Sequence, residues 1–496
     1  MSLTLAPFGF YINLTPNPKR QRMVSMMGSF STEGTPTWRF PFSHTEWDQT
    51  PDAVQAHVLT LQTQLYELQQ QHHQLQQQVD TLQGRLDKTS QTSRKPPSSD
   101  SPFTKPTRRP SSGKRGARKG HLGSGVTLLA PTDVQHVYPA PCACDHSALG
   151  TPTPYHTHQV IELPPIEMAI THFLLPQAHW EGCGALLKAA IPSEQTTGYG
   201  PRLTALLGEL GGRPRNSRRL VQDFCHSVLP LPMSLGAIQK VIDRVSQALV
   251  PQYEAIAVLA HHAPVGSMDE TPWYDQQTLQ WLWTMTTERV SLSLIHPHRS
   301  KEALLPLIED WQGILVSDGY GVSQDWVSRR QTCLAHLIRS ARGLSEKCDP
   351  ALAACGAWAL KELQRLSPMA KALPTGGAWR TWDARLCTLI DRYHERKDDA
   401  GRLVRRLQRE MASLGVFLCE HGVDATHNRA ERALRFGVLW RKGSHGSASD
   451  KGKRWVARTL SLRHTCRQLG QSTFRVLVDA VTSLFCGRQP DLSWLD

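Results

Sequence analysis

The amino-acid sequence predicts a multidomain α+β protein in which a mixed α/β domain is preceded by a coiled coil. The first observation is length, because 496 residues are about three times a common domain length of roughly 150 residues. The second is a heptad repeat of apolar residues within residues 51–90. The third is a change of periodicity at Pro264, where short strand-like runs begin to alternate with a helical segment.

The N-terminal part of the chain divides into an irregular segment and a leucine zipper. Residues 1–50 mix Pro, Gly, Ser and Thr without periodicity and are predicted to be disordered. Residues 51–90 are predicted to form a coiled coil. Through residues 54–86 it is expected to assemble the chain into a homodimer or higher oligomer. The alternative is one amphipathic helix that packs on its own chain, but nothing before it offers a core. The d positions are Leu61, Leu68, Leu75 and Leu82, and the a positions are Val58, Leu65, His72, Val79 and Leu86.

Residues 91–125 form a basic linker in a chain whose net charge is +13. Between residues 91 and 120 the sequence contains nine Lys or Arg residues and a single Asp. Such a cluster of positive charge favours a polyanionic partner. The alternative is a solvated linker whose charge serves solubility. The predicted DNA contacts in this segment are Arg108, Arg109, Lys114, Arg115, Arg118 and Lys119.

Residues 126–195 are predicted to form a small β module. Three runs rich in branched side chains indicate strands at Val126–Leu129, Val160–Leu163 and Met168–Leu175. The paired CxxC motifs of a zinc ribbon are absent. We therefore expect the module to fold without zinc; the alternative is a zinc site on Cys142, Cys144 and Cys183 completed by a nearby histidine.

Residues 196–262 are predicted to be helical and to resemble a helix-turn-helix. Pro230 and Pro232 break the helical pattern, and Ser234 is a suitable N-cap for a helix that runs to Leu249. Arg218 and Arg219 precede the break, which favours DNA binding. Helix pairs with short turns also occur without any contact to DNA, and this alternative stays open.

Residues 263–342 are predicted to form the first part of an α/β domain. PVGSMDET is read as a strand that ends at Asp269, LQWLWTMTT and RVSLSLIHP as a hairpin, KEALLPLIEDW as a helix, and GILVSDGY as a fourth strand that ends at Asp318. This order suits a ribonuclease-H-like sheet, in which the first and fourth strands lie side by side. Both aspartates would then meet at one edge.

A divalent cation needs more oxygen ligands than two aspartates provide. Glu431 in THNRAERALR is the candidate, and Asn428, Glu431 and Arg435 lie on one face of the predicted helix. Taken singly, Glu431 with Arg435 also fits a surface ion pair, and each aspartate fits a turn. Residues 343–420 are predicted to be a helical insertion, residues 421–445 the helix of Glu431, and residues 446–496 a C-terminal helical region.

Several strings together resemble the insertion sequence 66 family of transposases. Their order and spacing agree with the family from about residue 54 to the end. The strings are KPPSSD (95–100), YGPRL (199–203), MSLGAI (233–238), DET (269–271), VSDGY (316–320), CLAHLIR (333–339), NRAERALR (428–435) and WRKGSHG (440–446).

The resemblance implies a transposase of a bacterial insertion sequence that cleaves DNA and transfers strands with an acidic DDE triad. It assigns Asp269, Asp318 and Glu431 as catalytic residues and as ligands of two Mg²⁺ or Mn²⁺ ions. It implies double-stranded DNA as partner, at element ends and target, and companion proteins of the element. The family also carries a four-cysteine zinc ribbon, from which this chain departs at Trp180. The further expected DNA contacts are Arg432, Arg435, Arg441 and Lys442, and the residues expected to support the triad are Asn428, His336 and Arg339.

Two other functions remain open, namely a regulator that binds DNA without cutting and a ribonuclease-H-like nuclease that cuts without joining. The chain contains no apolar run of roughly 18 residues, and its start lacks the basic region of a secretory signal. Its eleven cysteines show no disulfide framework. We expect a cytoplasmic protein that makes no membrane contact and joins the nucleoid when bound to DNA.

Overall fold

A computed structural model describes residues 44–86, 127–138, 151, 153–195, 197–319, 329–369 and 372–496. The basic linker with its predicted DNA contacts, Cys142 and Cys144, and most of the N-terminal segment lie outside these residues. The chain divides into two compact units, Met1–Asp87 and Lys88–Asp496. Each unit is described by itself.

The described residues of the first unit, 44–86, form two helices, α1 (His44–Asp48) and α2 (Asp52–Leu86). Helix α2 is about 50 Å long at 1.5 Å per residue. It covers the predicted heptad repeat, and the described apolar side chains at a and d positions are largely exposed, including Leu68 at 63% and Leu75 at 60%. The helix is therefore as predicted, whereas its pairing with a second copy stays a prediction.

The described residues of the second unit that precede residue 200 have little regular structure. Its described strands before residue 200 are β1 (Gln177–His179) and β2 (Leu186–Lys188), which pair antiparallel. The three predicted strands of the β module are wrong, because residues 127–129, 160–163 and 168–175 are not strands. Val160 and Leu174 are 76% and 88% exposed. Branched side chains favour a strand only where a paired and half-buried surface receives them.

Four helices follow: α3 (Pro201–Gly211), α4 (Arg218–Val228), α5 (Leu235–Ala248) and α6 (Val250–His261). The side-chain oxygen of Ser234 accepts from the Ala237 N–H, as expected of the predicted N-cap. Ser217 caps α4 in the same way through the Leu220 N–H. The helix-turn-helix role of α4 and α5 stays a prediction.

The centre of the second unit is a five-stranded sheet in the order β5-β4-β3-β6-β7. Strands β3, β4 and β5 pair antiparallel, and β6 pairs parallel with both β3 and β7. The prediction that the first and fourth strands lie side by side is therefore confirmed, because these strands are β3 and β6. The strands are β3 (Val265–Asp275), β4 (Thr278–Thr286), β5 (Ser291–His296), β6 (Ile314–Ser317) and β7 (Arg330–Thr332), with α7 (Lys301–Ile308) between β5 and β6.

The first strand is longer than predicted, since β3 continues past Asp269 to Asp275. It pairs with β4 from Ser267, which is opposite Thr286, to its last residue Asp275, which is opposite Thr278. A two-residue turn at Gln276 and Gln277 joins the strands, and both residues have positive φ, 47° and 72°. Such turns match the twist of paired strands but usually use Asn and Gly, so the sequence did not reveal this one.

Helices cover both faces of the sheet. On one face, Met268, Trp283 and Met285 pack with residues of α6 and α7. On the other face, Trp273 and Leu282 join a larger core with the C-terminal helices and with α3 and α5. The three C-terminal helices are α13 (Asn428–Ser444), α14 (Asp450–Gln468) and α15 (Thr473–Phe485).

Helix α14 also covers the edge strand β5. The Ser461 and Thr465 hydroxyls accept from the backbone N–H groups of Ser293 and Ser291 at 2.9 and 3.1 Å. Free N–H groups on an edge strand invite pairing with another chain. The two hydroxyls therefore close this edge of the sheet.

A helical subdomain with its own apolar core interrupts the α/β domain. Its helices are α8 (Leu334–Ser345), α9 (Pro350–Met369), α10 (Gly376–Tyr393), α11 (Asp399–Glu410) and α12 (Val416–Cys419). Leu334, Leu337 and Leu344 of α8 belong to this core, so the subdomain begins before the predicted residue 343. Among the described residues, no helix is both long and apolar enough to span a bilayer.

Candidate active site

Two aspartates lie at the junction of neighbouring parallel strands. Asp269 is on β3, and Asp318 follows the last residue of β6. Ser267 is opposite Val316 in this pairing, and extending the register by two residues sets Asp269 level with Asp318. The predicted meeting of both aspartates is explained by this parallel register.

Glu431 lies in the first turn of α13, the helix that packs on β3 and β4. A carboxylate in the first turn is stabilised by the N-terminal end of the helix dipole. Close packing against the strands is possible partly because Gly437 has no side chain: a Cβ there would lie 2.3 Å from Leu282 Cδ2. Glu431 is thereby held on the side of the sheet that carries Asp269.

Two histidines and an arginine surround Glu431, and one of the histidines also approaches Asp269. His427 Nε2 lies 3.8 Å from Asp269 Oδ2 and 3.6 Å from Glu431 Oε1. His336 Nε2 and Arg339 Nη2 lie 3.7 and 3.4 Å from the same Glu431 oxygen. The predicted support of Glu431 by His336 and Arg339 agrees with this geometry, whereas Asn428 is exposed. His427 was not predicted, although it lies one helical turn before Glu431 in the sequence.

The site concentrates negative charge. Burial raises the pKa of Asp269 well above its usual range, and Glu270, Asp318 and Glu431 raise it further; the Glu270 N–H opposes them. That N–H donates to Asp269 Oδ1 at 3.0 Å. Burial also lowers the pKa of His427, against the opposing effect of Glu431 and Asp318. Burial therefore disfavours the charged forms of both Asp269 and His427.

This donor set fits a hard divalent cation. Mg²⁺ and Mn²⁺ prefer carboxylate oxygens, and Asp318 and Glu431 both lie close enough to Asp269 to raise its pKa. The raised pKa of Asp269 shows that its carboxylate is poorly compensated by the protein alone. The positive charge of a bound cation would stabilise the Asp269 carboxylate and lower its pKa.

The helical subdomain supports the backbone at Asp318. Arg406 Nη2 of α11 donates to the Asp318 carbonyl oxygen at 2.7 Å. Glu410, which is fully buried, accepts from Arg330 Nη2 at 2.6 Å and from the Thr332 hydroxyl. Gly319 has φ of 76°, and a Cβ there would lie 3.0 Å from Glu410 Oε1. The turn after Asp318 therefore needs glycine both for its conformation and for space.

A fourth carboxylate, Glu270, is neutralised separately. Arg299 donates to it through Nε at 2.8 Å and stacks over the Trp281 ring at 4.7 Å. Burial nevertheless raises the pKa of Glu270, against the effect of Arg299. Glu270 is thus paired with an arginine of the protein.

The predicted DNA-binding side chains in the described part of the chain fall into two groups. Arg219, Arg432, Arg435 and Lys442 are exposed. Arg218 and Arg441 make contacts within the protein: Arg218 Nε donates to Gln239 Oε1 at 3.0 Å, and Arg441 Nη1 donates to the Thr271 hydroxyl at 3.0 Å and to the Pro272 carbonyl. Cys183, of the predicted zinc ligands, is exposed in the β1–β2 hairpin.

The sheet, its two helical layers and the gathered acids define a mixed α/β protein with an acidic centre suited to divalent cations. Residues 219–454 match the model of the transposase IS66 family, and this part of the chain belongs to that family. Residues 48–126 match a family described only as being of unknown function, DUF6444. No curated protein matches the chain.

Proposed function

We propose that this chain is a DDE transposase that binds the ends of its element and catalyses DNA cleavage and strand transfer at Asp269, Asp318 and Glu431. The observation that carries the proposal is the placement of the three acids within the residues that match the transposase family. Asp269 and Asp318 are level in the β3–β6 pairing, and His427 Nε2 lies 3.8 Å from Asp269 Oδ2 and 3.6 Å from Glu431 Oε1. The order β5-β4-β3-β6-β7 supports a ribonuclease-H-like fold.

Asp269, Asp318 and Glu431 would hold two Mg²⁺ or Mn²⁺ ions. Bound in pairs, such ions activate the attacking oxygen and stabilise the leaving oxygen of a phosphoryl displacement. The protein contributes the positions of the ligands. The Glu270 N–H orients Asp269, Arg406 fixes the backbone of Asp318, and Arg339 fixes Glu431.

The reaction proceeds in two displacements without a covalent enzyme intermediate. Water attacks a phosphodiester at the element end and releases a 3′ hydroxyl. The 3′ oxygen then attacks a phosphodiester of the target, forms the new bond and displaces a target 3′ oxygen. The DNA that enters this site carries its own negative charge, so it requires basic contacts nearby.

The exposed basic residues that follow Glu431 suit this requirement. Arg432 and Arg435 lie on α13 within one turn of Glu431, and both are exposed. Contacts of this kind hold the phosphate backbone and position the duplex without reading its sequence. We assign the same role to Lys442, Arg219 and the basic linker.

Self-association would bring two element ends together. Helix α2 presents an apolar seam that is exposed within its own unit, and the a and d pattern suits a second copy of the same helix. We therefore assign a homodimer or higher oligomer to residues 54–86.

Replacing Asp269 by Asn tests the triad. Cleavage of end-containing DNA in Mg²⁺ is expected to be lost while binding to the same DNA stays close to that of the wild type. Asp310→Asn, at an exposed turn between α7 and β6, is the matched control and should cleave normally. Cleavage at the wild-type rate by Asp269→Asn would overturn the assignment, and cut ends without joined product would indicate a nuclease.

A further inference from the structure

A second set of metal-ligating side chains lies beside the acidic triad and is not needed by the proposed reaction. Cys333, His336 and His427 are buried, with exposed fractions of 0%, 7% and 1%. One ligand atom of each lies within 4.8 Å of those of the other two. Their sulfur and nitrogen donors differ from the oxygen donors of the triad.

The backbone holds these three residues at two adjoining helix starts. Cys333 precedes the first residue of α8, His336 lies three residues later on the same face, and His427 precedes the first residue of α13. The Leu334 N–H donates to the Ala425 carbonyl at 3.0 Å, and the Cys333 N–H donates to the Ser317 carbonyl at 2.9 Å. The cluster therefore belongs to a framework shared by α8, β6 and the segment that precedes α13.

His427 also carries a buried polar atom that the protein leaves unsatisfied. Among the described residues, His427 Nδ1 has no hydrogen-bond partner. A buried polar atom without a partner destabilises the folded state. Both His336 Nε2 and His427 Nε2 lie within 3.7 Å of Glu431 Oε1, so the imidazoles and this carboxylate face one common point.

We propose that Cys333, His336 and His427 bind one Zn²⁺ ion, with the fourth position directed at Glu431. Thiolate and imidazole are preferred ligands of Zn²⁺, whereas Mg²⁺ avoids sulfur. At Zn–N and Zn–S distances of about 2.1 and 2.3 Å, tetrahedral ligands are about 3.5 Å apart. The present donors lie within 4.8 Å of one another, so binding would draw them closer together. The ion ties the start of α13, and hence Glu431, to α8.

Cobalt substitution tests this site without relying on DNA cleavage. The full chain carrying Cys142→Ser, Cys144→Ser and Cys183→Ser removes the other candidate zinc ligands. Titration of this metal-free protein with Co²⁺ is expected to give one equivalent of tetrahedral cobalt with a thiolate charge-transfer band. Zn²⁺ should abolish the band, and Mg²⁺ should leave it unchanged.

Three further variants locate the ion. Cys333→Ser should remove the thiolate band, and His427→Asn should weaken Co²⁺ binding at least about tenfold, since even outer partners of metal ligands contribute that much. Cys348→Ser, at an exposed cysteine, is the matched control and should keep the band. Asp269→Asn should also keep it, which separates this site from the triad.

The absence of a thiolate band in the folded starting protein would overturn the proposal, as would a band that persists in Cys333→Ser. Circular dichroism establishes that each variant is folded. If Cys333→Ser does not fold, the Co²⁺ affinity of His427→Asn tests the site instead. An affinity equal to that of the starting protein would then overturn the proposal. None of these outcomes depends on whether the chain cleaves DNA.

Discussion

Arg406 of the helical subdomain donates through Nη2 to the backbone carbonyl oxygen of Asp318 at 2.7 Å. The two residues are 88 positions apart in the sequence, and the bond links the inserted helices to the end of β6. The insertion therefore contributes to the geometry of the acidic site while its own core lies elsewhere.

Replacing Arg406 by Gln should slow cleavage without removing a residue of the triad. The loss of the bond frees the turn after β6, and a misplacement of about 1 Å can cost on the order of a hundredfold in rate. Cleavage in saturating Mg²⁺ should fall by roughly tenfold to a hundredfold, with DNA affinity unchanged. Arg409→Gln, an exposed residue of the same helix, is the control. Equal rates for the two variants would contradict a positioning role for Arg406.

Asp269→Asn should stabilise the metal-free protein. The pKa of Asp269 is raised in the folded state, so its contribution to stability is present below the unfolded pKa and is lost as pH rises through the folded value. Near pH 7.5 in EDTA, the variant should melt at a higher temperature than the wild type. Mg²⁺ should then raise the wild-type melting temperature more than that of the variant. A variant that is less stable than the wild type in EDTA would contradict this account of the site.

His464 should make the fold sensitive to mild acid. It is buried edge-on against Phe436, and burial lowers its pKa to about 4. Between the unfolded value of about 6.5 and this folded value, the unfolded state binds more protons, so stability falls as pH falls. The expected loss is about 2 kcal/mol at pH 5 relative to pH 8.

Urea unfolding at pH 8 and pH 5 measures this effect. In His464→Leu, the difference between the free energies of unfolding at pH 8 and at pH 5 should be smaller than in the wild type by about 2 kcal/mol. His421→Gln, at an exposed histidine, should keep the wild-type difference. An unchanged pH dependence in His464→Leu would show that other groups cause it.

Charge placed in the seam of α2 should dissociate the oligomer. Leu68 and Leu75 are exposed d residues, and a Glu at each would set like charges against each other across a parallel dimer. Light scattering of Leu68→Glu/Leu75→Glu should give the monomer mass, whereas Gln70→Glu, away from the seam, should keep the oligomer. A wild-type protein that is already monomeric at micromolar concentration would contradict self-association through α2.

The sequence predicted the elements whose signals are local. Ser234 caps its helix as expected, and the strand pattern around Asp269 and Asp318 was sufficient to indicate that both meet at one edge. The strands expected at residues 160–175 failed because composition cannot show whether a partner strand exists. Strand β7 was missed because it has three residues, Arg330–Thr332, and owes its conformation to pairing with β6.

The sequence predicted three acids for the site, and their role stays a prediction, but it did not predict most of the contacts around them. Contacts such as Arg406 with Asp318 join residues far apart in the chain, and no local pattern reveals them. His427 precedes Glu431 by one turn, but its approach to Cys333 and His336 depends on how α13 meets α8. The CxxH spacing of Cys333 and His336 was the one available signal of that cluster.

The most direct test of the triad compares the wild type with Glu431→Gln for cleavage and strand transfer on end-containing DNA in Mg²⁺ or Mn²⁺. Glu254→Gln, at an exposed position of α6, serves as the matched control. Metal-dependent cut and joined products from the wild type and the control, but not from Glu431→Gln, are the predicted result. Equal product yields from Glu431→Gln and the wild type would contradict the assignment of Glu431 to the catalytic triad.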